Sequence, residues 1–212
     1  MELLVATRSS HKMHEIRRIM GEVPGLTLIG LTEAGVPYEA AEEGLEPYDT
    51  FEENARSKAR YFHERTGLPT VADDSGIEVD ALDGAPGVRS KRFAPGDDLK
   101  GLARDLANNE HLLSLLDGRP AEERGARYVC VAVLIHPGRP TLITRGEATG
   151  IILEHPRGEA GFGYDPLFLD QDDGKTFAEL TQDEKNERSH RGRAFRALAE
   201  ALVSGSIPSE TR

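Results

Sequence analysis

Residues 126–135 and 141–153 are two long apolar stretches separated only by His136-Pro-Gly138-Arg139-Pro140. So short a connection, built from turn residues, turns the chain back as a hairpin, so the two stretches read as neighbouring strands of one sheet. The rest of the chain must build on that pair. Leu3-Leu4-Val5-Ala6, Leu26–Leu31 and Thr70-Val-Ala72 are short apolar runs of strand character, and Ile77-Glu-Val-Asp-Ala alternates like a half-buried strand. Between them the apolar period switches to that of a helix. Met13, Ile16, Ile19 and Met20 mark one helix, and Phe51, Ala55, Ala59 and Phe62 a second, which runs to about His63. Leu99, Leu102, Leu106, Leu113 and Leu116 mark a third, from Asp97 to about Leu116, and Phe195, Leu198 and Leu202 a fourth, from about Arg191 to Val203. Thr50-Phe-Glu-Glu53 is a capping box, in which each side chain satisfies the other's backbone donor. Glu33–Asp49 and Gly158–Asp173 read as loops. Strands and helices mix without a strict β-α-β rhythm, which predicts an α/β fold with a mixed sheet.

The 212 residues suffice for one domain, or two closely joined lobes, with a real core. The net charge of −11 argues against a general nucleic-acid coat, which needs a basic surface, but leaves room for a local basic pocket around one small phosphate ligand. The single cysteine, Cys130, excludes an internal disulfide framework, suits a reducing cytoplasm and sits in an apolar run as a packing residue. No stretch approaches the roughly 20 apolar residues of a membrane span. Met1-Glu-Leu-Leu-Val-Ala lacks the form of a signal peptide, so a soluble cytoplasmic protein is expected. No His-x-x-x-His or Cys-x-x-Cys spacing suggests zinc.

Five segments carry candidate chemistry. Thr7-Arg8-Ser9-Ser10-His11-Lys12 leads from a strand into a helix, where free backbone N–H groups and the positive end of the dipole suit a phosphate; the plain alternative is a capped helix start with a solvated lysine. Lys58 flanks the apolar face of its helix and either snorkels to water or reaches an anion. Asp73-Asp74-Ser75-Gly76 follows a strand. It can hold a hard cation such as magnesium, which needs only one or two carboxylates beside substrate phosphates, or activate a water; otherwise it is a strand-ending Asx turn. In Gly161-Phe162-Gly163-Tyr164-Asp165-Pro166 two glycines can expose the aromatic ring to stack on a nucleobase, with Asp165 bonding its edge or the ribose, unless the ring is tucked inside a structural turn. Lys175, Lys185 and Ser189-His190-Arg191-Gly192 offer donors for a purine carbonyl or a phosphate, or form a solvated basic stretch. Together they describe a nucleoside triphosphate site.

Ala6-Thr-Arg-Ser-Ser-His-Lys12, Thr50-Phe-Glu-Glu-Asn-Ala55, Ala72-Asp-Asp-Ser-Gly76, Gly84-Ala-Pro-Gly87, Gly161-Phe-Gly-Tyr-Asp-Pro166, Ala178-Glu-Leu-Thr181, Glu184-Lys185 and Ser189-His-Arg-Gly192 occur in this order over nearly the whole chain. In them the chain closely resembles the inosine triphosphate pyrophosphatase family, the house-cleaning XTP/dITP diphosphatases. The resemblance implies hydrolysis of inosine, deoxyinosine and xanthosine triphosphates to monophosphate and pyrophosphate, magnesium dependence, a homodimer, and an elongated α/β fold with the substrate cleft between two lobes. It makes Asp74 the metal-linked general base, Asp73 its acidic neighbour and Ser75 a substrate contact. Thr7–Lys12 and Lys58 become the polyphosphate cradle. Phe162, Gly163, Tyr164, Asp165, Lys185, His190 and Arg191 become the nucleoside site, with Lys175 in the family's Gly-Lys segment. The chain departs from the family at Ser9, where the family has Asn. The second metal carboxylate is open: family context points to Glu42, and ungapped spacing back from Lys58 points to Glu46.

Overall fold

The computed structural model describes residues 1–96 and 98–204. The chain forms two compact units: residues 1–74, 130–146 and those from 190 onward make the first, and 75–129 with 147–189 the second. The strands are β1 (Glu2–Val5), β2 (Thr27–Gly30), β3 (Thr70–Val79), β4 (Gly125–Ile135), β5 (Leu142–Ile152) and β6 (Phe168–Asp170). They form one sheet in the order β2-β1-β3-β4-β5-β6, so the strands of the hairpin, β4 and β5, are neighbours. Among the described residues five α-helices accompany them: α1 (Ser10–Met20), α2 (Phe51–Thr66), α3 (Gly101–Leu115), α4 (Gln182–Arg188) and α5 (His190–Val203). Among the described residues, no helix is long and apolar enough to cross a membrane.

In the first unit β1 runs parallel to β2, with Glu2 opposite Thr27 and Val5 opposite Gly30, and parallel to β3, with Val5 opposite Val71. Parallel neighbours need a crossover, which α1 and α2 supply. Ser9 caps α1 by accepting a hydrogen bond from the Lys12 amide at 3.3 Å, and Gly67 closes α2 in the left-handed region (φ 68°). The core joins Leu3, Val5, Val71, Cys130 and Leu134 of the strands to Ile16 and Met20 of α1 and Ala194, Phe195 and Leu198 of α5. In the second unit Tyr128, Phe168 and Phe177 pack with ring centroids 4.8–5.7 Å apart, beside Ile77, Val79, Leu112 and Leu116.

Four expectations change. Thr70-Val-Ala72 and Ile77–Ala81 are not separate strands; β3 runs through Asp73-Asp74 unbroken, so the acid pair lies within a strand and not in a strand-ending turn. The Thr50–Glu53 box is one-sided: Thr50 Oγ1 accepts from the Glu53 amide, but the Glu53 carboxylate takes the Thr50 hydroxyl at 2.6 Å. The third helix begins at Gly101, and Asp97 lies outside the described residues. Its leucine stripe is split: Leu99, Leu102 and Leu106 are exposed, Leu113 and Leu116 pack on the core, and Arg104, Asn108 and Leu112 are buried beside them. Helix α4, inside the polar stretch before α5, escaped the apolar period because it is seven residues long and mostly charged.

Gly146 of β5 records a close approach. A Cβ there would strike the His190 carbonyl and lie 2.5 Å from the Ala194 amide. Gly146→Ala is expected to lower the unfolding free energy by about 1–3 kcal/mol, while Gly44→Ala, where a Cβ meets nothing within 4 Å, changes it by less than about 0.5 kcal/mol. Urea denaturation of the two variants measures the difference.

Candidate active site

In the first unit the functional side chains gather around β3. Successive strand residues point to opposite faces, so Asp73 and Asp74 have different surroundings despite being adjacent. The Asp73 carboxylate, 1% exposed, receives the Lys12 ammonium at 2.9 Å and the Arg191 guanidinium at 3.4 Å. Burial favours its neutral form, but Lys12, Arg191 and Lys58 outweigh burial and hold it well below the usual carboxylate range. Arg191, 2% exposed, also pairs with Glu15 at 2.5 Å. Burial opposes its charge, yet Asp73 and Glu15 drive its pKa above the ordinary arginine value. Cys130 Sγ lies 3.8 Å from Asp73 Oδ2, and burial and that carboxylate push the thiol up, so Cys130 stays a packing residue.

Asp74 differs. Asn54 of α2 donates to its Oδ2 at 3.1 Å, and Lys58 Nζ lies 3.9 Å from its Oδ1. Burial raises its pKa above the usual carboxylate value; Lys58, Lys12 and Asn54 oppose the rise, and Glu46 adds to it. Asp74 therefore holds a proton more readily than Asp73, as a group that accepts one from water must. The Lys58 ammonium, 13% exposed, touches the Glu46 carboxylate and donates to the Asp73 carbonyl at 2.6 Å. Burial works against its charge, but Glu46, Asp74 and Asp73 more than offset it, and its pKa is raised.

Asp74 and Glu46 thus both approach the Lys58 ammonium. Among the described residues there is no group of three or more metal-ligating side chains. Two hard oxygen donors suit magnesium, which completes its shell with water and phosphate oxygens. Glu42 is placed elsewhere: its carboxylate forms a two-point pair with Arg8 at 2.7 and 2.9 Å and accepts the Glu39 amide. Arg8 also donates to the carbonyls of Val36 and Pro37. It ties the turn before α1 to the loop around Glu42. The Asp73 carboxylate is likewise engaged by cations.

The rest of the turn is compact. Thr7 Oγ1 accepts the Ser9 amide at 3.1 Å, Ser10 is the first residue of α1, and His11 is exposed in its first turn. Lys12, 19% exposed, therefore sits one turn into α1 with its ammonium at Asp73. His190 opens α5 and is buried; its neighbour Arg191 pairs with Asp73 and Glu15.

The aromatic loop lies in the second unit. The Asp165 carboxylate accepts the Phe162 amide at 2.8 Å, the Lys185 ammonium at 2.7 Å and the Tyr128 hydroxyl at 3.4 Å. Lys185 Nζ lies 4.7 Å from the centre of the half-buried Phe162 ring, a cation–π contact. Asp165 thus braces the loop. Tyr164 is buried in the core with its hydroxyl donating to the Ser90 carbonyl at 2.8 Å. Gly163 takes a left-handed φ of 63°. Ser75 is half-buried in the same unit. Lys175, whose side chain is 45% exposed, pairs with Glu184 at 3.4 Å. Asn54 went unnoticed in the sequence: its amide and carbonyl hold both polar groups of the Tyr48 backbone as well as Asp74. Its place inside the Thr-Phe-Glu-Glu-Asn-Ala motif, on the buried face of α2, was the available signal.

The family described as the Ham1 family matches residues 3–201. A Frankia alni protein named dITP/XTP pyrophosphatase is 48% identical over 202 residues, covering 95% of this chain and 97% of its own. A Thermus thermophilus protein of the same name is 44% identical over 99% of this chain and 96% of its own. Among solved structures, a HAM1 protein from Coxiella burnetii is similar with a TM-score of 0.82 at 36% identity, covering 96% of this chain and 99% of that one. The Staphylococcus aureus Ham1 protein is similar at 0.81 and 34%, covering 97% and 100%.

Asp73→Asn would leave Arg191 and Lys12 without their shared counter-charge, an expected loss of about 3–5 kcal/mol. Because the folded-state pKa is depressed, the stability that Asp73 contributes is fully present above about pH 4, its unfolded value, and is lost as pH falls towards the folded value. The difference between wild type and Asp73→Asn in urea unfolding should therefore narrow below about pH 4.

Proposed function

The chain belongs to the Ham1 family, and on that premise we propose that it hydrolyses the non-canonical purine nucleoside triphosphates dITP, ITP and XTP to the monophosphate and pyrophosphate. The names of its relatives support the substrate class. The observation that carries the chemistry is the pairing of two lysines, Lys12 and Lys58, with two dissimilar aspartates, of which only Asp74 has a raised pKa. In this reading the chain works as one catalytic domain. Asp74 and Glu46 would hold magnesium, which would supply Lewis-acid neutralisation of the phosphate oxygens.

Asp74 takes a proton from the attacking water. That water's oxygen forms a bond to the α-phosphorus as the bond from this phosphorus to the bridging oxygen of pyrophosphate breaks. Lys12, with the amides of the Thr7–His11 turn, and Lys58 offset the charge that gathers on the leaving pyrophosphate. Asn54 holds one Asp74 oxygen and leaves the other on the Lys58 side. Phe162 stacks on the base. Lys185, fixed by Asp165 and lying against the Phe162 ring, directs its ammonium to the oxo-purine edge. A donor aimed at the 6-oxo group is left unmatched by adenine, at a cost of about 1–3 kcal/mol, or roughly tenfold to hundredfold in selectivity. Homodimeric assembly and a cytoplasmic setting, where such nucleotides arise, complete the reading.

Pyrophosphate release measured with dITP, XTP, dGTP and dATP, with and without magnesium, tests the proposal. Turnover of dITP and XTP that stops on chelation is expected, and dATP turned over as fast as dITP would overturn it. Asp74→Asn should lower kcat by about 10²–10⁴ with an unchanged circular dichroism spectrum.

A further inference from the structure

Helix α3 has the wrong face inward for an ordinary amphipathic helix. Leu102 is 73% exposed and Leu106 52%, although burying a leucine is favourable. Beside Leu112 the inward face of the helix is polar, and its polar side chains hold backbone. Arg104 donates to the Ala94 carbonyl at 2.9 Å. Asn108 accepts the Ala94 amide at 2.9 Å and donates to the carbonyls of Ser90 and Lys91 at 3.2 Å. One position further along the helix, a second pair four residues apart does the same for another segment. Asp105 Oδ2 accepts the Gly163 amide at 3.0 Å, and Asn109 Nδ2 donates to the Gly163 carbonyl at 3.1 Å. Residues at i and i+4 share a helix face, which lets one rigid element grip both polar groups of one residue. The Oδ1 atom of Asn109 is buried with no hydrogen-bond partner among the described residues, so the Gly163 carbonyl decides which way this amide points.

Gly163 needs such a grip. It sits at φ 63° and has no side chain to pin it. Its neighbour Phe162 is held on the other side by Asp165, which accepts the Phe162 amide at 2.8 Å. Asp165 and Asp105 therefore take two successive amides of the loop from different parts of the fold, with the aromatic ring between them. We propose that Asp105 and Asn109 are positioning residues for the nucleobase: through Gly163 they fix the direction of the Phe162 ring and so set affinity for the base, not for the phosphates. This rests on the reading of Phe162 as the stacking platform. The outward leucines follow from it, because the rotation that buries Leu102 and Leu106 would withdraw Asp105 and Asn109 from Gly163.

The test compares a ligand with a base and one without. KM and kcat for dITP and inhibition by IMP are measured beside inhibition by inorganic tripolyphosphate, on the full chain with magnesium. Asn109→Asp keeps the shape but turns an oxygen towards the Gly163 carbonyl; Asp105→Ala removes the acceptor. Each is expected to raise KM for dITP and the IMP inhibition constant about tenfold, the effect of leaving one such partner unpaired. Tripolyphosphate inhibition and kcat should stay within about twofold. Asp105→Asn, which keeps an acceptor for the Gly163 amide, should recover most of the loss. Equal weakening of IMP and tripolyphosphate would overturn the proposal, as would unchanged IMP binding in both variants while Phe162→Leu weakens it. If Phe162→Leu itself leaves IMP binding intact, the platform reading fails first, and the role of the clamp fails with it.

Discussion

The first unit depends on one buried carboxylate. Asp73 is almost fully enclosed and meets two cations from distant parts of the chain, Lys12 of α1 and Arg191 of α5, while Glu15 of α1 closes the set on Arg191. An isolated carboxylate at that depth would be very costly; with partners it becomes a restraint, because α1, β3 and α5 must each deliver a charge to the same point. The restraint places Lys12. The alternation of β3 then points the next residue, Asp74, to the other side, where burial dominates and the proton affinity rises. Two adjacent aspartates thus come to opposite electrostatic states.

A second restraint governs the loop with Phe162. The chain there has little apolar side-chain mass of its own, and Gly161 leaves no space for a Cβ, which would strike Asp165. Its order comes from polar side chains that bind its backbone: Asp165 from within, and Asp105 and Asn109 from α3. The same device recurs at Asn54, which holds Tyr48 and Asp74, and at Arg8, which binds the loop around Glu42. Loops at functional sites carry few apolar anchors, so hydrogen bonds to their backbone must supply the stiffness.

Much of this was legible in the residues. The β4–β5 hairpin, the strand–turn–helix opening, the α2 and α5 faces and the buried Cys130 all follow from apolar period and turn residues, which act over a few positions. Helix α3 misled in part, since Leu113 and Leu116 pack on the core while Leu102 and Leu106, at the same helical spacing, face outward. Here the hydrogen bonds of Arg104, Asp105, Asn108 and Asn109 to distant backbone outweigh the burial of two leucines.

The sequence by itself determined the class of fold and the family, because periodicity and motif order are properties of the chain alone. Tertiary structure decided which side chains meet. Whether Glu42 or Glu46 stands beside Asp74, whether Arg8 braces a loop or faces a phosphate, and whether Asp73 pairs with cations or with a metal depend on which charges meet in space. Coulombic and desolvation energies are set by distance and burial, and neither can be counted along a chain.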